Sequence, residues 1–564
     1  MSERMRANHR NRALSLSRRQ MLAAVPAGGL VAAGLAGCTG SASSSSSGKM
    51  LVAAGGSTFT KNFNPFAANP VTGTWGMIYE PLYFFNQAKA GDEQPLLATK
   101  YEFGPDGKTI TFTLREGVKW SDGKPFTADD VVFTFEMIRT NPKVSKGWPL
   151  AKVAKTDATH VTLTFSKQVY TQLWQIAGQT WIVPRHIWSS IKDPTTTTNN
   201  NPVGTGPFVL GTFQSQAVTY LKNGKYWEPG KPKIAGVRYV ALNSNDSLTA
   251  ELAADQVGWA GGFITNIDKQ YVAKDPKHHK YLNEATLYVT NLVPNLDKAP
   301  FNDVRVRKAI SAALDRDRLI KLAFSGYGKY PNPAEIVQPL YNRYIKPEYR
   351  NAKLDHDPEK SKTLLRQAGY TKGSDGYYAK NGQPLSITCK VVTGYSDYIS
   401  ALQIIQQELK AVGIKFSSQQ VSWAEFSSDQ ATGNFDMIIT NGYGGPSPYF
   451  MYNNLLSSTM TAPIGQNASQ NFSRFRNEDV DKALRTIEST DPKDEQTLLD
   501  QYYAIQDIVV EQMPYIPIQQ SSALAEYNTR DFSGWPTLAD HYALVLPFYQ
   551  PDMGIVAKNL VPVD

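Results

Sequence analysis

Between residues 385 and 421 a strand pattern, an amphipathic helix and a second strand pattern follow one another. Leu385-Ser386-Ile387-Thr388-Cys389-Lys390-Val391 alternates with the period of two expected of a strand with one buried face. Over residues 400–412, Ala401, Leu402, Ile405, Leu409 and Val412 recur at helical spacing, and Gly413 is placed to cap the helix. Residues 414–421 return to strand, so the unit predicts a β/α lobe. Cys389 reads as a small core residue within it.

One such lobe cannot account for the chain. About 525 residues follow the leader described below, more than a single core supports, so two or three lobes are expected. Residues 50–54 form a short buried strand closed by Gly55-Gly56, and 109–114 alternate through Ile110, Phe112 and Leu114 after the turn Pro105-Asp106-Gly107. Thr127 and Asp130 make a capping box for a helix carrying Val131, Phe135 and Ile138. A second alternation runs through Val161, Leu163 and Phe165. The run 194–202 reads as a loop at a lobe edge, and strands are expected at 237–242 and 288–292. Helices are expected from Asp303, with Val306, Ile310 and Leu314 on one face, and over 495–512, stopped by Pro514.

The first 48 residues read as an address. Arg4, Arg6, Arg10 and Arg12 lead into Ser17-Arg18-Arg19-Gln20-Met21-Leu22 and a weakly apolar run that holds Pro26, too short for a stable membrane span. The paired arginines resemble a twin-arginine export signal. Leu35-Ala36-Gly37-Cys38 resembles a bacterial lipobox, in which the cysteine thiol receives diacylglycerol, and the serine tract after it behaves as a flexible tether. The expectation is a signal peptide over 1–37, lipidation at Cys38, a tether over 38–49, and a chain held at the outer face of the cytoplasmic membrane by two or three acyl chains such as palmitate.

This leader also carries much of the charge. Residues 1–37 hold six Arg against one Glu, a net +5, so of the whole chain's +8 only +3 remains in the mature part. That removes the case for nucleic acid, which needs a clustered basic face. With Cys38 lipidated, Cys389 has no partner for an internal disulfide. No Gly-x-Ser-x-Gly elbow, His-Glu-x-x-His or cysteine pair for metal occurs, and Gly107-Lys108-Thr109 lacks the first glycine of a phosphate loop. The reading is therefore not an enzyme, with no cofactor and no metal. His278 and His279 fall in the polar stretch 274–280 and read as solvated loop. The 29 Tyr and 10 Trp are plentiful, and such rings suit a recognition surface as well as a core.

Four segments resemble, in order, family 5 extracellular solute-binding proteins, the oligopeptide- and dipeptide-binding components of ABC importers. They are Val118-Lys119-Trp120-Ser121-Asp122-Gly123-Lys124-Pro125-Phe126-Thr127-Ala128-Asp129-Asp130-Val131, Pro202-Val203-Gly204-Thr205-Gly206-Pro207-Phe208, Ala299-Pro300-Phe301-Asn302-Asp303-Val304-Arg305-Val306-Arg307-Lys308-Ala309-Ile310 and Gln406-Gln407-Glu408-Leu409-Lys410-Ala411-Val412-Gly413-Ile414. The resemblance implies an α/β fold of the periplasmic-binding-protein kind (type II, cluster C), with two lobes and an extra domain inserted in the first. Lobe I would comprise 50–80, 201–294 and 519–564, the insert 81–200, and lobe II 295–518. A monomer would close around its solute by a hinge motion and present it to permease subunits.

The resemblance also points to ligand residues. Peptide binders of the family carry a tryptophan after the β/α unit of lobe II, matched here by Trp423, and an aspartate for the peptide's α-ammonium in a following loop. Here that loop reads Asn441-Gly442-Tyr443-Gly444-Gly445-Pro446-Ser447-Pro448-Tyr449, with glycines and proline in place of the aspartate. This is closer to members that bind oligosaccharides, where sugar faces stack on rings. The candidates are Trp423, Asn441, Tyr443 and Tyr449 in lobe II, with Trp259, Phe263 and Asn64 in lobe I. Gly261 and Gly262 are expected to let a ligand approach the backbone. An oligopeptide is the first expectation and a cello- or xylo-type oligosaccharide the second; an exported hydrolase is the distant third.

Overall fold

The computed structural model describes residues 48–563, apart from Ser57, Ala68, residues 285–287 and residues 521 and 522. The arginine-rich leader and Cys38 lie outside the described residues, as does the side chain of Tyr443.

Two mixed sheets make two lobes. The first has seven strands in the order His279–Asn283, Leu524–Asn528, Trp259–Gly261, Met50–Ala54, Gly236–Val240, Ala217–Lys222 and Phe208–Gln214. Met50–Ala54 lies parallel to both its neighbours, and its Leu51 and Ala53 join Val237, Tyr239 and Trp259 in one core. The second sheet has five strands, in the order Lys415–Val421, Ser386–Val392, Met437–Tyr443, Tyr288–Pro294 and Ile516–Gln520. Here Ser386–Val392 runs parallel to Lys415–Val421, with the helix Ser396–Ala411 between them in sequence, which is the β/α unit expected of 385–421. Cys389 is fully buried in this sheet, and burial pushes its thiol well above the ordinary range.

The segment inserted in lobe I has its own four-stranded sheet, ordered Ala98–Phe103, Thr109–Leu114, His160–Phe165 and Leu150–Lys155, and its own core around Ile110, Phe112, Val131, Phe135 and Leu163. The capping box at Thr127 and Asp130 starts the helix Ala128–Thr140. Asp130 does more than cap: its carboxylate also accepts from the Trp120 indole at 3.3 Å and from the backbone N–H of Arg185 at 2.8 Å, joining three pieces of chain in the insert.

Two expectations need correction. The boundary drawn at 294 falls one strand too late. Tyr288–Pro294 is hydrogen-bonded between Met437–Tyr443 and Ile516–Gln520 and therefore belongs to the second sheet. Partners decide a strand's sheet, and a strand's own pattern is blind to them. The chain thus crosses between lobes after Asn283 and again after Gln520, and the two crossings lie side by side, with Glu284 N–H donating to Ala523 O at 2.8 Å. His279 is not solvated loop either. It is buried in an edge strand, with its ring nitrogens at 2.9 Å from Tyr271 O and 2.7 Å from Asp255 Oδ1.

Candidate ligand-binding cleft

A cavity of about 1040 Å³ lies between the two sheets. Its walls come from the segments that leave the carboxyl ends of strands: Gly55 and Gly56 after Met50–Ala54, Asn243 to Asn245 and Leu248 after Gly236–Val240, Thr393 to Tyr395 with Asp397 and Tyr398 after Ser386–Val392, and Ser422 and Trp423 after Lys415–Val421. Open α/β sheets place ligands there because side chains from several strand ends converge. The inserted domain adds Gln87, Trp174 and Gln179, and the C-terminal segment adds Phe548 and Tyr549.

Three of the expected residues line this cavity. Trp423 begins the helix Trp423–Thr432, capped by Ser422, whose side chain accepts from Glu425 N–H at 3.2 Å. Its ring stacks on Phe426 one turn later, with centroids 6.2 Å apart and planes at 19°, yet the residue remains 53% exposed. A large ring supported on one side and open on the other is a stacking platform. Asn441 is in the strand Met437–Tyr443, not in a turn, and its Oδ1 accepts from Thr290 Oγ1 at 2.9 Å and Tyr398 Oη at 2.8 Å. Phe263 lines the lobe I wall and meets Tyr327 edge to face at 6.1 Å.

Three others do not line it. Trp259 is fully buried, donates its indole N–H to Val545 O and packs against Trp535, so it is core. Tyr449 sits behind the loop, 3% exposed, hydrogen-bonded to Glu488 and packed on Phe450. Asn64 is buried as a loop clip, donating from Nδ2 to Pro194 O at 2.6 Å and Thr197 O at 3.0 Å while its Oδ1 accepts from Phe66 N–H. Tyr443 ends its strand opposite Tyr288, and its side chain lies outside the described residues. Gly261 and Gly262 both line the cavity, and a Cβ on Gly262 would lie 2.2 Å from Leu248 Cδ2.

Sequence reasoning missed a rich stretch of the wall, formed by Tyr395, Asp397 and Tyr398. The helix Ser396–Ala411 starts four residues before the apolar stripe at 400–412, so its polar first turn carries no helical signature. Tyr395 and Tyr398 meet edge to face at 6.1 Å, and Asn245 of lobe I reaches across to donate to Ser396 Oγ at 3.1 Å and Asp397 Oδ1 at 3.3 Å. Among the described lining residues Asp397 is the only Asp, Glu, Lys, Arg or His. Desolvation in the cleft pushes its carboxyl up to about 6, although backbone N–H groups of the helix's first turn and the Asn245 amide pull the other way. The remaining described lining residues are uncharged, with aromatic rings, amides and hydroxyls set among glycines and aliphatic side chains.

A family profile described as "Bacterial extracellular solute-binding proteins, family 5 Middle" matches residues 93–462. The chain belongs to this family. Family 5 proteins of this kind are the solute-binding components of ABC importers. It is 28% identical over 543 residues to the glutathione-binding protein GsiB of Escherichia coli, covering 92% of this chain and 98% of that one. Among solved structures, it resembles the mannohexaose-bound periplasmic oligopeptide-binding protein of an oligopeptide ABC transporter from Thermotoga maritima, with a TM-score of 0.83 and 25% identity over 92% of this chain and 99% of that one. The Bacillus subtilis oligopeptide-binding protein AppA, solved with a nonapeptide, shares the fold at a TM-score of 0.76 and 21% identity, over 91% and 99% of the two chains. Among the described residues no helix is long and apolar enough to cross a membrane.

Proposed function

We propose that this family 5 protein captures a short oligopeptide between its lobes and hands it to the permease subunits of an ABC importer. Asp397 carries the reading: among the described lining residues it is a lone carboxylate with no cation beside it, and a peptide's α-ammonium would supply the counter-charge. It would do so from the helix Ser396–Ala411, in place of the aspartate that the 441–449 loop lacks. The similarity to a glutathione-binding protein supports a small peptide-like solute.

A second reading, an oligosaccharide, is favoured by the rest of the lining. Among the described lining residues no Lys or Arg is placed to pair with a peptide's carboxylate, whereas Trp423, Tyr398 and the amides of Asn441 and Gln519 suit sugar faces and hydroxyls. The Thermotoga relative was solved with mannohexaose. Thermal-shift and calorimetric screening of tri- to pentapeptides against cello-, xylo- and manno-oligosaccharides separates the two. Stabilisation by peptides is the expected result, and stabilisation by sugars alone sinks the peptide reading in favour of the second.

The ionic pairing has a sign that pH reveals. Asp397 is half protonated near pH 6 in the free cleft and must be ionised to hold an ammonium, so peptide affinity falls as pH drops through about 6. Asp397→Asn should weaken peptide binding about fivefold at pH 8 and flatten the profile, a modest effect because the carboxylate is only partly buried. Calorimetric affinities independent of pH between 5 and 8 in the unsubstituted chain would rule the pairing out.

The same reading includes the anchor. The lipobox-like Leu35-Ala36-Gly37-Cys38 and the serine tract support lipidation at Cys38, export by the twin-arginine route and a single copy tethered above the importer. Cys38→Ser should move the chain from the membrane pellet to the soluble fraction on cell fractionation; continued sedimentation with membranes counts against lipidation.

A further inference from the structure

Away from the two crossings, the inserted domain meets lobe II across a seam. Trp174 lines the cavity and presents its ring edge to face with Phe450, with centroids 4.6 Å apart and planes at 71°. Beneath the indole is Gly445, where a Cβ would lie 2.8 Å from Trp174 Cζ3 and 2.8 Å from Phe450 Cγ. On the insert's side, a Cβ on Gly91 would lie 2.5 Å from Pro446 Cβ. The lobe II loop is fixed from behind, since Tyr341 Oη donates to Gly445 O at 2.6 Å. The turn Tyr170–Gln172 packs alongside against the helix Glu478–Ser489.

A chance approach of two surfaces does not need a missing side chain on each of them. Here each face contributes a glycine whose side-chain space the other face occupies, and the space over Gly445 is filled by the indole that also walls the cavity. Cavity wall and seam therefore share one side chain. Whatever unseats Trp174 from Gly445 opens the cavity at that wall, and a solute that packs against the indole favours the seated state.

We propose that Trp174 couples solute capture to closure, acting as a clasp that seats on Gly445 and Phe450 and completes the binding cavity only when the inserted domain and lobe II are together. This rests on the solute-binding reading but not on whether the solute is a peptide or a sugar. It also gives the loop's departure from the peptide-binder pattern a physical reason, because Gly445 is kept bare for an aromatic ring.

Gly445→Val isolates the clasp. Position 445 has no positive φ, and a side chain there would press on the indole and on Phe450 without replacing any residue that lines the main cavity. Calorimetry with a pentapeptide and with mannohexaose, on the full chain, is expected to show at least a tenfold loss of affinity for whichever probe the unsubstituted chain binds. Its melting temperature should stay within about 2 °C, and Trp174→Ala should show the same loss. Unchanged affinity in Gly445→Val overturns the proposal. If the unsubstituted chain binds neither probe, the solute classes are wrong and the clasp is judged by small-angle scattering: a larger radius of gyration in Gly445→Val supports it, and an equal one overturns it. Should Gly445→Val melt early, Gly445→Ala takes its place in the same measurements, with the same outcome on either side.

Discussion

Trp259→Ala unfolds the chain at markedly lower denaturant or temperature and leaves the solute affinity of the folded fraction within about threefold of its starting value. The indole is fully buried in a central strand, between Leu524–Asn528 and Met50–Ala54, and its ring contacts Trp535 with centroids 5.8 Å apart. Removing it loses the burial of a large aromatic surface, leaves a cavity that a sheet core closes poorly, and strips Val545 O of its donor, together costing about 3–5 kcal/mol. Equilibrium unfolding read by near-ultraviolet circular dichroism gives the stability, and calorimetry on the refolded protein gives the affinity. A tenfold loss of affinity at unchanged stability would put the ring in the site after all.

Trp423→Ala should do the reverse. Half of this residue is exposed, its only ring contact among those described is Phe426, and it sits at the mouth of a helix whose cap is Ser422 rather than the tryptophan. Little native packing is lost, so the melting temperature should move by no more than about 2 °C. A solute stacked on the ring loses about 1–2 kcal/mol, roughly tenfold in affinity or more. Calorimetry with the best probe from the screen decides, and an affinity within twofold of the unsubstituted chain removes Trp423 from the binding surface.

The two tryptophans look alike in sequence, each beside small residues at the edge of a strand pattern, and the contrast between them shows where sequence reading stops. Local order was legible wherever a short-range signal carries it. The capping box at Thr127 and Asp130, the turn at Gly107, and the stripe of the helix Ser396–Ala411 are encoded within a few residues and appear where expected. What faces the cleft is decided by residues far apart in the chain. Trp259 is core because Val545 and Trp535 come to it from the C-terminal segment. Asp397 is in the wall because lobe I brings Asn245 opposite the first turn of a lobe II helix. Tyr449 read as a ligand residue because it belongs to an aromatic loop, yet Trp174 and Phe450 occupy the front of that loop and leave it behind them. The missed boundary at Tyr288–Pro294 has the same origin, since pairing partners more than a hundred residues away fix a strand's sheet.

Cys389 makes the folded chain convenient for single-molecule work. Its sulfur is shut inside the lobe II sheet and held as the unreactive thiol, and Cys38 is the only other cysteine in the sequence. With Cys38 changed to serine, the native protein has no sulfhydryl accessible to maleimide. One cysteine added on the insert and one on lobe II would then be the sole addresses for a donor and an acceptor dye. Opening across the cleft could be followed in individual molecules without first stripping the native thiol from the core.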